Sequence, residues 1–297
     1  MQPTRPSVGN GAPGESSGTA HLAQTYAGAF FDSMGPLSAG SAERLVPLLI
    51  ELTGCQSVVD VGCGDGAWLK CFSGLAIGDY LGIDGPHVGQ ERLKIPKERF
   101  VQRNLECPYT PQRRFDLALS LEVAEHLPDS SAEAFIDTLT ACADVVVFSA
   151  AVPGQGGTNH VNEQPPEYWA GLFATRGYQA VDCIRPIVWN DRSIAVWYRQ
   201  NTLLYARPEW LEKHERLNSA RATTNPQWLN FVHPDLLAYK QRLLDESESL
   251  RVKTLVQLLG VQKRVLSRAG PALIRSLAWR IGRGRARFSH PRKRGGK

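Results

Sequence analysis

Residues 57–66 combine a short run of β-branched residues, an acid and a loop with glycine at every second position, in the order SVVDVGCGDG. A helical pattern begins directly after this loop at Ala67, and a second apolar run follows and ends at Asp84. This order predicts a parallel βαβ unit, which binds a nucleotide-like ligand at the carboxyl end of its first strand.

The glycines of the loop are Gly62, Gly64 and Gly66. They allow a sharp turn and a close approach of the backbone to a ligand, because a Cβ atom at these positions would collide with it. Asp84 is placed to accept hydrogen bonds from two ribose hydroxyls. The ligand predicted from these residues is a nucleoside cofactor.

Two cofactors fit the glycines, because residues 62–67 also match the dinucleotide pattern G-x-G-x-x-A. A dinucleotide site places a pyrophosphate at the start of the helix. The carboxylates of Asp60 and Asp65 would repel a pyrophosphate, and they suit the α-ammonium and sulfonium charges of S-adenosylmethionine. The residues favour a methyl donor, and an NAD-dependent oxidoreductase is the alternative.

At this point the chain resembles the class I S-adenosylmethionine-dependent methyltransferases, whose first motif is an acid followed by alternating glycines. The resemblance covers about residues 40 to 185 and includes the segment EVAEHL at 122–127. It implies that Asp60 and the glycine loop hold the methionine part of the donor and that Asp84 holds the ribose. Asn104 and Leu105 would contact the adenine. Glu122 would lie against the methionine end.

Alternating strand and helix patterns predict an α/β fold. With the resemblance, this becomes a Rossmann-like seven-stranded, mostly parallel sheet sandwiched by helices, with a helical basic C-terminal extension. Strands are expected near residues 57–61, 79–83, 99–103, 115–120, 144–149, 178–182 and 194–205, and the last two are expected to pair antiparallel. Helices are expected at 21–34, 39–52, 66–74, 131–142 and 164–175.

The predicted segments are a flexible tail at 1–20, a methyltransferase domain at 21–207, a helical extension at 208–260 and a basic tail at 261–297. The basic tail holds twelve Lys or Arg and no acid, and the rest of the chain has a formal charge of −7. A short amphipathic helix at 272–281 could lie on an anionic membrane surface or touch nucleic acid. The alternative is a solubilising disordered end.

The six cysteines include no C-x-x-C pair, and no apolar run reaches the 18 to 20 or so residues that cross a bilayer. Reduced thiols in a cytoplasmic enzyme are expected. Contact with the inner face of the membrane would come through residues 261–297.

The loop after the fifth strand, residues 150–164, is rich in glycine and then in His, Asn, Glu and Gln. It should leave the sheet beside the cofactor. His160 is the candidate general base for an acceptor hydroxyl, because an imidazole titrates near neutrality. A histidine that only braces the loop is the alternative. His126 and Glu125 are further candidates for catalysis.

Glu122, Glu125 and His126 have the spacing of one helical face. With His160 they form a candidate site for a divalent cation that holds two vicinal hydroxyls. The arrangement resembles the metal site of the small-RNA 2′-O-methyltransferases, but the loop here has one downstream histidine where they have several. The E-x-x-E-H segment also occurs in metal-free relatives.

The acceptor loop and the aromatic residues near 189 and 197 resemble bacterial methyltransferases of polysaccharide and glycolipid biosynthesis. Trp169 and Trp197 are expected mostly in the core. Arg185 and Arg192 are candidates to meet an anionic group of the acceptor. The predicted function is O-methyl transfer to a sugar hydroxyl of a saccharide or glycolipid. An RNA 2′-O-methyltransferase, or an RNA-binding protein that uses the basic tail, is the second alternative.

Overall fold

A computed structural model describes residues 29–248 and residue 250, with side chains from residue 37 onward. The predicted tails at 1–20 and 261–297, and the start of the first predicted helix, lie outside the described residues. The chain divides into two compact units, Met1–Leu237 and Ala238–Lys297. The first unit contains the sheet. The predicted boundaries at 207 and 260 stay predictions.

Seven strands form one sheet with the order β3-β2-β1-β4-β5-β7-β6. The strands are β1 (Ser57–Val61), β2 (Asp79–Asp84), β3 (Phe100–Gln102), β4 (Leu117–Leu121), β5 (Val145–Ser149), β6 (Gln179–Val181) and β7 (Leu203–Ala206). β1 to β5 pair in parallel, and β7 pairs antiparallel with both β5 and β6. The predicted fold class and the antiparallel edge are confirmed.

The helices of the first unit cover both faces of this sheet. They are α1 (Ala29–Thr53), α2 (Ala67–Gly74), α3 (Ala132–Cys142), α4 (Pro166–Ala174), α5 (Arg185–Val188), α6 (Val196–Asn201), α7 (Pro208–Leu211) and α8 (Glu215–Thr223). Short 3-10 turns occur at Gln90–Arg92, Lys97–Arg99, Ala124–His126, Asp129–Ser131 and Pro226–Trp228. Residues 234–248 and residue 250 are helical, and no described helix is both long and apolar enough to cross a bilayer.

Every residue of β1, β4 and β5 is buried. This is expected for parallel strands that are covered by helices on both faces. Alternate residues of β5 divide between two cores: Val145 and Val147 belong to the cluster that includes residues of α1 and α2, and Val146 and Phe148 belong to the cluster that includes residues of α3 and α4.

The structure differs from the prediction at one strand and at the break between the first two helices. The segment 194–205 is a strand only at Leu203–Ala206, and Val196–Asn201 is a helix instead. Its polar residues Arg199, Gln200 and Asn201 are buried and make tertiary hydrogen bonds that a strand pattern does not reveal. The predicted break between residues 34 and 39 is absent, because α1 continues through it.

Phe173 tests the packing of the core under α4. Its ring is fully buried and stacks on Tyr205 with a centroid distance of 4.0 Å. We expect Phe173→Ala to lower the free energy of unfolding by about 3–5 kcal/mol, measured by urea denaturation. The control Leu75→Ala removes a side chain that is 48% exposed and should cost less than about 0.5 kcal/mol. Equal losses in the two variants would contradict the packing described.

Candidate functional site

The turn after β1 is left-handed at each glycine. The φ angles are +87° at Gly62, +53° at Gly64 and +80° at Gly66, a region that other residues enter at a cost. A Cβ at Gly62 would clash with the Val123 side chain, and a Cβ at Gly66 would lie 2.9 Å from Ile95 Cγ1. The sequence predicted that glycine is required here because a Cβ would collide with a bound ligand. At Gly62 and Gly66 a Cβ would already collide with a protein side chain, so glycine is required even without a ligand.

Asp84 ends β2 and joins it to this turn. Its Oδ2 accepts a 2.6 Å hydrogen bond from the Gly64 N–H, and its Oδ1 accepts one of the same length from the Gly85 N–H. His87 Nε2 lies 3.4 Å from Oδ1. Burial raises the pKa of the Asp84 carboxyl, and the nearby His87 and the two N–H donors oppose the rise. The carboxyl therefore shapes the turn, and each oxygen keeps a lone pair for a ligand hydroxyl.

Asp60 lies beside Asp84 and is equally buried, with 3% of its surface exposed. The parallel register of Val61 with Ile83 brings the two acids to the same edge of the sheet. Burial, and then the charge of Asp84, raise the pKa of Asp60 well above its usual value. No hydrogen bond among the described residues involves the Asp60 carboxyl. A cationic ligand group at this edge would stabilise its ionised form.

Asp65 does not have the role predicted for it. Its Oδ1 accepts a hydrogen bond of 3.0 Å from the Ala67 N–H, and its Oδ2 lies 2.8 Å from Lys94 Nζ. The carboxylate therefore stabilises the start of α2, and the lysine compensates its charge. This corrects the prediction that Asp65 supplies a free negative charge to the ligand.

Asn104 and Leu105 line a shallow, solvent-open cleft at the end of β2. Gly85, Pro86, His87, Glu106 and Leu127 complete its lining. Leu105 is buried and supplies an apolar part of the lining. Asn104 Oδ1 accepts a hydrogen bond of 3.0 Å from the Glu106 N–H, which fixes the side chain and leaves one lone pair for another donor. The structure brings both predicted residues into one cleft beside Asp84.

Glu122 is the first residue after β4 and has a left-handed backbone, with φ +55°. Its Oε1 accepts a hydrogen bond of 3.1 Å from Asn201 Nδ2, and its Oε2 accepts one of 2.9 Å from Gln155 Nε2. Burial raises the pKa of Glu122, while these amides and Ser149 oppose the rise. Glu122 lies outside the 3-10 turn Ala124–His126, so the three residues do not lie on one helix as their spacing predicted.

Sequence reasoning missed Gln155 and Asn201 as partners of Glu122. Gln155 Oε1 also accepts a hydrogen bond of 2.9 Å from Asn201 Nδ2, so the three side chains form a closed network. Gln155 lies in the loop that the sequence singled out. Asn201 ends the segment 197–201 that the sequence singled out for the acceptor, but the assignment of 194–205 to a strand gave no indication of its contact with Glu122.

Glu125, His126 and His160 form a compact group. Each offers one ligand atom, and these atoms lie within 4.8 Å of one another. The rings of the two histidines meet edge to face at 4.8 Å. Glu122 does not belong to this group, so the predicted set of four metal-ligating residues reduces to three.

The ionisation of this group is set by burial. The Glu125 carboxyl is fully buried, and neither oxygen has a hydrogen-bond partner among the described residues. Burial, and then the charge of Glu122, raise the pKa of Glu125 well above its usual value. Burial lowers the pKa of His126 to about 4. At neutral pH His126 is therefore a neutral imidazole, and a cation bound here would have to favour the ionised form of Glu125, which burial opposes.

His160 is braced and partly accessible. Its Nδ1 lies 2.9 Å from Glu163 Oε1, and 12% of its side chain is exposed. The Val161 and Asn162 N–H groups donate to the Glu125 carbonyl at 2.9 and 3.0 Å. The loop after β5 is therefore attached to the segment after β4. Sequence reasoning named the loop but gave Glu163 no role.

Arg185 does not face an acceptor. Its guanidinium is 2% exposed, pairs with Asp182 at 2.6 Å and donates to the Leu229 carbonyl at 2.7 Å. This corrects the prediction for Arg185, whereas Arg192 is exposed. Trp169 is a core residue with 1% exposure, as predicted, and Trp197 is partly buried against the core.

Comparison with known proteins gives one family. A family model described as a methyltransferase domain matches residues 22–182. Among solved structures, the sugar N-methyltransferase KedS8 from a Streptoalloteichus species is 16% identical with a TM-score of 0.46, over 70% of this chain and 98% of that chain. No curated protein is a significant match.

Two further solved structures are similar to this chain. Magnesium protoporphyrin IX methyltransferase from Synechocystis, with bound S-adenosylhomocysteine, is 16% identical with a TM-score of 0.45, over 63% of this chain and 99% of that chain. Human N-acetylserotonin methyltransferase, in complex with S-adenosylmethionine, is 16% identical with a TM-score of 0.40 over 56% of this chain. The match spans about half of the human protein, 51% of its length.

The glycine turn yields a test with a matched control. Gly62 and Gly154 have similar φ angles, +87° and +81°, but an added Cβ would clash only at Gly62. We expect Gly154→Ala to cost about 1–2 kcal/mol from backbone strain. Gly62→Ala should cost about 1–3 kcal/mol more, from overpacking against Val123. Urea denaturation measures both, and equal losses would show that the clash does not exist.

Proposed function

This chain belongs to the methyltransferase-domain family, and on that premise we propose that it is an O-methyltransferase acting on a sugar hydroxyl of a saccharide or glycolipid. S-adenosylmethionine is the methyl donor; it supplies a methyl group on a sulfonium whose carbon–sulfur bond breaks during attack. The NAD-dependent oxidoreductase is therefore not retained. The observation that carries the O-methyl proposal is His160, an imidazole held by a carboxylate in a polar loop at the same edge of the sheet as Asp60 and Asp84.

The donor half of the proposed site fits the chemistry of this cofactor. Asp60 is a buried acid with no hydrogen bond to a described residue, so the α-ammonium or sulfonium charge of the donor would stabilise its carboxylate. The oxygens of Asp84 accept from N–H groups and have further lone pairs for the ribose hydroxyls. The cleft lined by Leu105 and Asn104 has apolar and polar walls for the adenine.

The acceptor half is proposed to be the loop at 154–163. A sugar hydroxyl is a weak nucleophile and must lose its proton as its oxygen attacks the methyl carbon, so a nearby base contributes to the rate. His160 is the base in this proposal. Glycines and short polar side chains in this loop provide donors and acceptors for the other hydroxyls of a sugar. Alignment of the acceptor oxygen with the sulfur–carbon bond would supply much of the rate.

The divalent cation is a separate prediction. Glu125, His126 and His160 lie close enough to hold one metal ion together, and two imidazoles with a carboxylate suit several divalent metals. Burial of the Glu125 carboxyl opposes its ionisation when no cation is present. We therefore propose transfer without a metal, with His160 as base, and treat metal dependence as an outcome of the test.

The donor pocket predicts a pH-dependent affinity. The pKa of Asp60 is raised, so at pH values between 3.8 and that raised value the folded protein without donor holds a proton there. A cationic ligand favours the carboxylate, so binding of S-adenosylhomocysteine, through its ammonium group, should release a proton and strengthen as the pH rises. Asp60→Asn should lower the affinity about 10- to 100-fold and abolish the proton release.

Calorimetry in two buffers of different ionisation enthalpy measures both the affinity and the released proton. Glu98→Gln removes an exposed carboxyl outside the pocket and is the matched control. Wild-type affinity in Asp60→Asn would contradict the placement of the donor at this edge.

The acceptor proposal is tested by a screen for transfer of a radiolabelled methyl group to glycans and glycolipids, with identification of the product as a methyl ether. His160→Ala should lower turnover about 10²- to 10⁴-fold and leave the affinity for S-adenosylhomocysteine unchanged. His214→Ala is the control, since this histidine stacks on Trp210 rather than lying in the proposed site. A wild-type rate in His160→Ala would exclude it as the base.

The same screen separates the alternatives. Turnover that persists in EDTA supports the metal-free reaction, and turnover lost in EDTA and restored by a divalent ion assigns a cation to Glu125, His126 and His160. RNA is included as an acceptor. Transfer to RNA that depends on residues 261–297 and falls steeply with salt would replace the saccharide proposal.

A further inference from the structure

The carboxylate of Glu163 organises the loop after β5. Its Oε2 accepts a hydrogen bond of 2.7 Å from the Gly154 N–H, and its Oε1 accepts one of 2.6 Å from the Gly156 N–H. Oε1 also lies 2.9 Å from Nδ1 of His160. Each oxygen of Glu163 thus accepts a backbone N–H group, the arrangement expected for a carboxylate that acts as an acceptor at both oxygens.

An ionised carboxylate is only an acceptor of hydrogen bonds. The hydrogen between Glu163 and a neutral His160 must therefore be on Nδ1, which leaves Nε2 with its lone pair. Nε2 makes no hydrogen bond with a described residue. Gly157 allows this placement of the ring, because a Cβ at that position would clash with Nε2.

We propose that Glu163 is a positioning residue that fixes His160 in the Nδ1–H tautomer and so directs the lone pair of Nε2 to the acceptor hydroxyl. This inference rests on the proposed function for its catalytic consequence. Its structural content, the tautomer, does not depend on the identity of the acceptor.

The proton balance of the transfer follows from this tautomer. As the acceptor oxygen bonds to the methyl carbon, the carbon–sulfur bond breaks and its electron pair stays on sulfur. The hydroxyl proton passes to Nε2, and His160 becomes an imidazolium with both nitrogens protonated. Glu163 stabilises the new positive charge through Nδ1–H. With the opposite tautomer Nε2 would carry hydrogen and could not accept the proton.

The test compares Glu163→Gln with Glu167→Gln. Glutamine keeps the length of the side chain and one carbonyl acceptor but removes the charge, and Glu167 is exposed at the start of α4. Two-bond ¹⁵N–¹H correlation spectra should show the Nδ1–H tautomer of His160 in the wild type and in Glu167→Gln. Glu163→Gln should give a mixture that includes the Nε2–H form.

Steady-state kinetics form the second arm. We expect Glu163→Gln to lower kcat about 10- to 100-fold, with KM for donor and acceptor changed less than about threefold, because the group acts through His160 rather than on substrate. In the His160→Ala background the same substitution should cost no further factor. A purely structural role would lower kcat by the same factor in both backgrounds.

Three results would overturn the inference: the Nε2–H tautomer in the wild type, a wild-type kcat in Glu163→Gln, or an equal loss with and without His160. A wild-type protein that methylates no saccharide would instead overturn the proposed function. The spectra would still decide the role of Glu163, so the two failures are distinguishable.

Discussion

The hydrogen bonds of one buried carboxylate, that of Asp84, connect the parts of the proposed donor half. The carboxylate accepts from the N–H of Gly64 in the turn after β1 and from the N–H of Gly85 at the end of β2. Without these bonds the two N–H groups would be buried at a cost of about 1–3 kcal/mol each. The left-handed glycine turn and the end of β2, where Gly85 lines the cleft, therefore depend on the same two oxygens.

Much of this half could be predicted from the sequence, since its determinants are local. β1, β4 and β5 are apolar runs because both of their faces are covered, and their predicted limits differ from the observed ones by a few residues at most. The glycines at 62, 64 and 66 are required by φ angles that a sequence motif records directly. Parallel pairing then brings Asp60 and Asp84 to one edge without further information.

The rest could not be predicted, because tertiary contacts decide it. Asp65 resembles a ligand-binding acid in the motif, but Lys94, far along the chain, compensates its charge. Arg185 resembles an anion-binding residue, but Asp182 and the Leu229 carbonyl occupy its guanidinium. The segment at 196–201 has the β-branched and aromatic residues of a strand, but it is helical.

The two halves of the proposed site differ in how well the sequence predicts them, and the reason is physical. The donor half is built largely from backbone turns at strand ends, which constrain sequence to glycines and acids at fixed positions, so a family model detects it. The Glu122 network beside the proposed acceptor loop is built from side chains of distant segments: Glu122 sits in a conformation that costs about 1–2 kcal/mol for a non-glycine residue, and Gln155 and Asn201 donate hydrogen bonds to it. Many sequences can supply such amide and carboxylate partners. Membership of the family therefore establishes methyl transfer from the donor, whereas the acceptor proposed above depends on side-chain contacts such as that of His160 with Glu163, which the family match does not describe.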